Sequence, residues 1–172
     1  MTQKRLSWQT IITYFGLIHF ISSRDVHDVV HQVAAVGSRD VEKAKEFIKE
    51  NLGGSTTTTP YGSYEGVVED KVSKGLSFLN TVSDTIQNVD AVYIGTPHTH
   101  HYTCARLALS NGKHVLLEKP STCNAAELRA LIALAKEKGL FFMEAMWTRF
   151  QPIAQEVSRL VQSGALGDVR VL

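Results

Sequence analysis

Four short stretches of this chain carry side chains that could do chemistry. Gly95-Thr96-Pro97-His98-Thr99-His100-His101-Tyr102-Thr103-Cys104 holds three histidines and a cysteine, the residue types that commonly ligate zinc. Glu118-Lys119-Pro120 sets an amine beside a carboxylate, and Gly37-Ser38-Arg39 sets a guanidinium just after a glycine. Glu144-Ala145-Met146-Trp147-Thr148-Arg149 offers an indole and a second guanidinium. The histidine spacing argues against a metal. His98, His100 and His101 are too close for all three to reach one ion from a single turn, and no second ligand pair of zinc type accompanies them. No metal is expected, and His100 is expected to be exposed.

Each stretch follows an apolar run, which bears on how the four are positioned. Val33–Val36, ending at Gly37, reads as a buried strand. Asp90–Gly95 reads as a second, the run leading to Glu118-Lys119-Pro120 as a third stopped by its proline, and Phe141–Ala145 as a fourth. Helical spacing separates them. Val41, Ala44, Phe47 and Ile48 fall on one face before Gly53-Gly54, and His100 to Ser110 read as a helix closed by Asn111-Gly112. Asn124 offers an N-cap with Glu127 as its box partner. Leu128, Leu131, Ile132 and Ala135 then form a buried stripe that ends at Gly139. Pro152 suits the first turn of a last helix running to about Ser163. Residues 55–65 read as loop, and 168–172 as the start of another strand. Alternating strands and helices, with the strands apolar throughout, describe an α/β fold: a parallel sheet flanked by helices. Right-handed crossovers place every strand's carboxyl end on one edge, where ligands bind in such sheets. The four stretches therefore converge on one rim.

Composition bounds the rest. The 172 residues suffice for one cored domain, with 44% hydrophobic and 20% charged residues. A net charge of +1 gives no electrostatic case for nucleic acid. Two cysteines are too few for a disulfide framework and fit a reduced, cytoplasmic setting. The basic start and apolar middle of the first 23 residues faintly suggest a signal peptide. That apolar run is too short to cross a bilayer and is broken by Thr13, Tyr14 and His19, so no membrane partner is expected. The other reading of the segment is a buried strand or a poorly formed terminus.

The run from Thr96 to Pro120, TPHTHHYTCARLALSNGKHVLLEKP, resembles a pattern of the glucose–fructose oxidoreductase / inositol dehydrogenase (Gfo/Idh/MocA) family, T-P-N-x-x-H-x-x-x-A-x-x-A-L-x-x-G-K-H-V-L-x-E-K-P. MEAMWTRFQP and RDVHDVVHQVAAVGSR are similar to its branch of dimeric dihydrodiol dehydrogenases and fungal D-xylose dehydrogenases. The resemblance covers roughly residues 24–71 and 88–172. It implies a Rossmann-like NAD(P)-binding domain over 24–165 and, from 166–172, the start of a second α/β domain, through whose sheet family members form homodimers. It implies hydride transfer between a nicotinamide cofactor and a small-molecule sugar or dihydrodiol. Gly95, Thr96 and Pro97 would lie along the cofactor's ribose and nicotinamide; the bare alternative is an ordinary strand-to-helix turn. His98 stands where the family usually has asparagine. His101 falls on the family's own histidine, to join the cofactor-side network or to cap and pack. Glu118 and Lys119 match the family's E-K-P. Lys119 is the candidate catalytic residue, partly desolvated, tuning a substrate hydroxyl or holding the nicotinamide. Trp147 and Arg149 would shape the pocket, although Trp147 could equally be core or an interdomain contact. At Ser38 and Arg39, NAD-specific domains place an acid for the ribose hydroxyls, whereas arginine accommodates a 2′-phosphate. The acid is lacking until Asp40, so NADP is expected rather than NAD.

Two stretches depart from the pattern. The family's first strand and glycine-rich turn should precede Arg24, yet that place holds only Gly16, between Phe15 and Leu17. Bulky neighbours block the backbone approach that a pyrophosphate needs. Thr10–Phe15 could supply a substitute strand, and Ile21–Ser23 a remnant of the segment after the glycines. Val72–Gln87 has no counterpart and reads as an insertion. Together with the end at Leu172, these departures suggest an aberrant gene model and a truncated enzyme. The alternative function is a catalytically inactive fragment, nucleotide-binding or not. A sheet lacking its first strand would expose a neighbour's edge, and without a second domain the rim-side surface and any edge at 168–172 would be exposed too, which predicts poor solubility.

Overall fold

The computed structural model describes residues 4–11, 29–69, 91–168 and 170. Strands β1 (Lys4–Ile11), β2 (Val29–Gly37), β3 (Thr59–Tyr61), β4 (Ala91–Ile94), β5 (His114–Leu117) and β6 (Phe142–Glu144) form one sheet in the order β3-β2-β1-β4-β5-β6. Every pairing is parallel. Helices α1 (Val41–Asn51), α2 (Tyr64–Glu69), α3 (His98–Ser110), α4 (Ala125–Glu137) and α5 (Pro152–Gln162) alternate with the strands, and Trp147–Phe150 form a 3-10 turn. This is the strand order of a doubly wound dinucleotide-binding sheet.

The apolar runs become strands because both faces are covered. Val33 to Val36 and Ala91 to Ile94 are buried throughout. One core cluster joins Val92, Ile94, Val115 and Leu117 of the sheet to Leu109 of α3 and Leu131 of α4. A second joins Val33 and Val36 to Ala44 and Ile48 of α1. Asp40 caps α1, its Oδ1 accepting from the Glu42 amide at 2.9 Å. Asn124 caps α4 by accepting from the Glu127 amide at 3.0 Å. Gly112 and Gly139 follow α3 and α4 with φ of 75° and 65°, a conformation that glycine enters without strain.

Four expectations are refined. The first strand, expected to be atypical or missing, is atypical in sequence but present in position: β1 lies between β2 and β4. Thr10 and Ile11 of the expected substitute strand end it, and residues 12–15 lie outside the described residues. β2's edge is therefore paired, which removes the expected open edge. The stretch read as loop at 55–65 contains β3 and the start of α2. β3 is a short edge strand, where a proline such as Pro60 is tolerated. The stripes on α1 and α4 are narrower than read, because Val41 and Ile132 are exposed. Finally, Asp168 and Arg170 lie in no strand. The insertion at 72–87 lies outside the described residues. Among the described residues no helix is long and apolar enough to cross a membrane.

Candidate active site at the carboxyl edge of the sheet

Strand register decides which turns meet. Ile11 pairs with Gly37 and with Ile94, Ile94 with Leu117, Leu117 with Glu144, and Gly37 with Tyr61. The strands thus end level. Ser38-Arg39, Gly95-Thr96-Pro97, Glu118-Lys119-Pro120 and Ala145-Met146-Trp147 leave the same edge, as their position after apolar runs implied. Strand order reverses between β1 and β4, where such sheets open a ligand crevice. The β4 side of that crevice is the Gly95 turn. Gly16, its bulky neighbours and Ile21–Ser23, where the family's glycine-rich turn was expected, lie outside the described residues.

At the β2 exit, the Ser38 amide donates to the Tyr61 carbonyl at 3.0 Å. A side chain at Gly37 would collide with Val67 of α2, so this glycine lets the strand end pass close under that helix. Arg39 is exposed on the rim. Asp40, the acid nearest to β2, already accepts the Glu42 amide as the cap of α1.

At the β4 exit, Gly95 and Thr96 are buried while Pro97 and His98 are exposed. Thr96 Oγ1 is buried without a satisfied hydrogen bond. The Cys104 thiol, also buried, lies near it. Burial pushes that thiol up to about 11, and the Thr96 hydroxyl offsets the shift only in part. His101 is fully buried, its Nε2 2.8 Å from the Thr96 carbonyl oxygen and its Nδ1 2.7 Å from that of Pro120. Both ring nitrogens are thereby engaged, so His101 stands behind the rim and has no polar atom left for a ligand. The His98 ring packs edge-on against it, centroids 5.4 Å apart. His100 is exposed. Among the described residues no group of three or more His, Cys, Asp or Glu could hold a metal ion.

The β5 exit is held from several sides. The Glu118 amide donates to the Ile94 carbonyl at 2.9 Å. Tyr93, buried within β4, donates its hydroxyl to Glu118 Oε1 at 2.7 Å, and Glu118 Oε2 accepts the Lys119 amide at 3.2 Å. Burial first, then the hydrogen bond and charge of Glu118, push the Tyr93 hydroxyl far up, so it remains a donor. Glu144 Oε1 accepts the Ser121 amide at 2.8 Å, tying β6 to the turn. Lys119 precedes a cis proline peptide, and it is exposed rather than partly desolvated. A residue standing out from a turn whose backbone is anchored is free to meet a ligand. Trp147 is 59% exposed and Arg149 is exposed, so Trp147 is not core. Tyr93 and Glu144 escaped the sequence reading because polar partners of a distant turn look, along the chain, like ordinary strand residues.

These groups fit a dinucleotide. A guanidinium stands at the β2 exit, a glycine and an orphaned buried hydroxyl at the β4 exit, and a cationic amine at the β5 exit. Comparison with known proteins bears on the family and the fold. Residues 13–146 match the family model described as the oxidoreductase family, NAD-binding Rossmann fold. The chain is 42% identical over 142 residues to the trans-1,2-dihydrobenzene-1,2-diol dehydrogenase of Bos taurus, covering 83% of this chain and 36% of that one. It is 38% identical over 146 residues to the D-xylose 1-dehydrogenase (NADP(+)) of Hypocrea jecorina, covering 85% and 33%. It thus spans about a third of the length of these relatives. Among solved structures, a 3-ketoreductase from Actinomadura kijaniata, in complex with TDP-benzene and NADP, superposes with a TM-score of 0.72 at 24% identity over 98% of this chain and 46% of that one. The apo scyllo-inositol dehydrogenase of Lactobacillus casei gives 0.72 at 22% identity, over 98% and 44%. These two likenesses establish the fold alone. By the family match and the sheet that bears it, the chain belongs to the Gfo/Idh/MocA oxidoreductase family through its NAD-binding Rossmann fold.

Proposed function

We propose that this chain is the cofactor-binding part of an NADP-dependent oxidoreductase that acts on a CH–OH carbon of a sugar or dihydrodiol. The observation that carries the reading is the level register, which gathers Arg39, the Gly95 turn and Lys119 on the edge where a dinucleotide would lie. Arg39, after Ser38, would take the 2′-phosphate, while Asp40 is occupied as a helix cap and is poorly placed for a ribose diol. Gly95, Thr96, Pro97 and His98 would line the ribose and nicotinamide. Glu118, Trp147 and Arg149 would border the reacting end. The bound nicotinamide supplies the hydride acceptor or donor. Lys119, anchored at its backbone and open at its amine, would hydrogen-bond the substrate oxygen and steady the charge that develops there. The NADP named for the Hypocrea jecorina relative supports the cofactor choice.

Calorimetric titration with NADPH and NADH tests this. Wild type is expected to prefer NADPH. Arg39→Asp should weaken NADPH by about tenfold to a hundredfold, the worth of a hydrogen bond to a charged group, and narrow or reverse the preference. Equal binding of both nucleotides by wild type would sink the NADP assignment.

Turnover is a separate question, because the matched part of the chain spans only about a third of these relatives. Hydride transfer with D-xylose and with a trans-dihydrodiol, followed at the nicotinamide absorbance, distinguishes an active enzyme from a chain that binds without turnover. A reduced cytoplasmic setting accords with the two free cysteines, Cys104 and Cys123. Homodimerisation through a second domain, as in the family, belongs to the same proposal.

A further inference from the structure

We propose that Tyr64 is a further cofactor-binding residue: its hydroxyl shares the β2–β3 end of the rim with Arg39 and donates a hydrogen bond to the 2′-phosphate of the dinucleotide. The inference rests on the proposed nucleotide site and adds to it a donor from the β3 exit. Its basis is the path of the chain after β3. Gly37 pairs with Tyr61, and the Ser38 amide donates to the Tyr61 carbonyl at 3.0 Å. The β3 exit therefore lies beside the turn that carries Arg39. The chain stays there, because a side chain at Gly62 would start 3.3 Å from the amide nitrogen of Val41, the first residue of α1. Tyr64 then opens α2, its ring half-buried against the core cluster that holds Val67, Val68 and Cys104. A ring seated on that core presents its hydroxyl with little freedom to lose on binding.

A 2′-phosphate brings a charge of about −1.5 to −2 and several strong acceptor oxygens, more than one guanidinium fork occupies. Other donors at this end of the rim are already engaged. The Ser38 amide is bonded to Tyr61, and the Ser63 hydroxyl oxygen accepts the Gly66 amide at 3.0 Å. The Asp40 carboxylate can only accept, and it caps α1. The Tyr61 ring lies against Gly66, where an added Cβ would stand 3.0 Å from Tyr61 Cδ1. Tyr64 differs from all of these in its charge environment. Burial first pushes its hydroxyl up, Cys104 adds to this, and the Arg39 guanidinium is near enough to pull against both. The outcome is upward, so the phenol keeps its proton at neutral pH and stays a donor. A cation and a neutral donor thus stand together where the sheet offers a phosphate its first partner.

Calorimetric titration of the full chain with NADPH and with NADH decides it. Tyr64→Phe keeps the ring and removes only the hydroxyl, so its circular dichroism should match wild type. Its affinity for NADPH should fall about tenfold, the low end for a hydrogen bond to a charged group, and its affinity for NADH should stay unchanged. In wild type labelled with 13C at the tyrosine ζ carbon, the Tyr64 signal should shift markedly more with NADPH than with NADH. That second measurement stands even if the variant fails to fold. A variant that binds NADPH as tightly as wild type, or a signal that responds equally to both nucleotides, removes Tyr64 as a phosphate ligand. An equal loss of affinity for both nucleotides overturns it too, since Tyr64 would then face the adenosine or pyrophosphate that the two share. Wild type that binds neither nucleotide, or both alike, sinks the NADP assignment and this inference with it. Wild type that prefers NADPH, beside a Tyr64→Phe variant that behaves identically, sinks the role of Tyr64 alone.

Discussion

At the scale of single residues, the rim is divided between groups left open and groups already spent. Arg39 and Lys119 are exposed, whereas Asp40, Tyr93, Glu144 and His101 each hold a backbone or side-chain partner. Arg39 and Lys119 were legible in the sequence because a cation just after a strand has only the rim to occupy. The holders were not legible, since what Tyr93 or Glu144 touches depends on which strand lies beside it. Burial also writes a titration into the molecule. Cys104 is raised from its ordinary 9.0 to about 11, chiefly by desolvation. The folded state then holds this proton more tightly than the unfolded chain. Its contribution is full below pH 9 and is lost as pH rises toward about 11. Two units correspond to about 2–3 kcal/mol. Tyr93, raised in the same sense from 10.0, adds to the loss at still higher pH. Urea unfolding of wild type is expected to weaken steadily across that window, and Cys104→Ala should flatten its lower part. An identical slope in the two proteins would remove Cys104 as the cause.

At the scale of elements, long apolar runs and caps were readable and short polar elements were not. α3 and α4 stand where Asn111-Gly112, Asn124 and Gly139 placed their ends. β3 and α2 were hidden because three residues including Pro60, and a helix of only 6 residues, carry too little periodicity to register. They are held by tertiary contacts instead. The Thr58 hydroxyl donates to the Val33 carbonyl at 2.8 Å, and Val67 and Val68 are buried against the sheet. Gly37 is the residue that lets this happen, because any Cβ there meets the Val67 side chain. Gly37→Ala is therefore expected to cost about 1–3 kcal/mol in denaturant unfolding, the range for overpacking a core. Val67→Ala removes the obstructing methyls and has its own cavity cost. The double variant should lose less than the sum of the two, a coupling that contact residues show and distant ones do not. Strict additivity would mean that the two side chains do not share the space.

At the scale of the whole molecule, the sequence placed four turns on one edge through a single inference about crossovers, and the register bears it out. What the sequence could not say is which apolar surfaces end up covered, because coverage is a property of neighbours. α5 is the clearest case. Its start at Pro152 and its extent were readable, yet none of its residues is buried. Ile153, Val157 and Val161, spaced one turn apart on one face, are 71%, 48% and 37% exposed, and Phe150 just before them is 56% exposed. An apolar stripe of this kind, left to water, drives non-specific association. Poor solubility was expected from an unpaired strand edge and from surface that a second domain would cover. With β1 in place, the exposed stripe on α5 is the surface that would carry the expected behaviour. Replacing Ile153 by Lys and Val157 by Glu should therefore raise the soluble fraction and lower binding of a hydrophobic dye. The melting temperature should hardly move, since neither side chain contributes to the core of the sheet. Unchanged light scattering in the double variant, with the fold intact, would place the source of association elsewhere on the molecule.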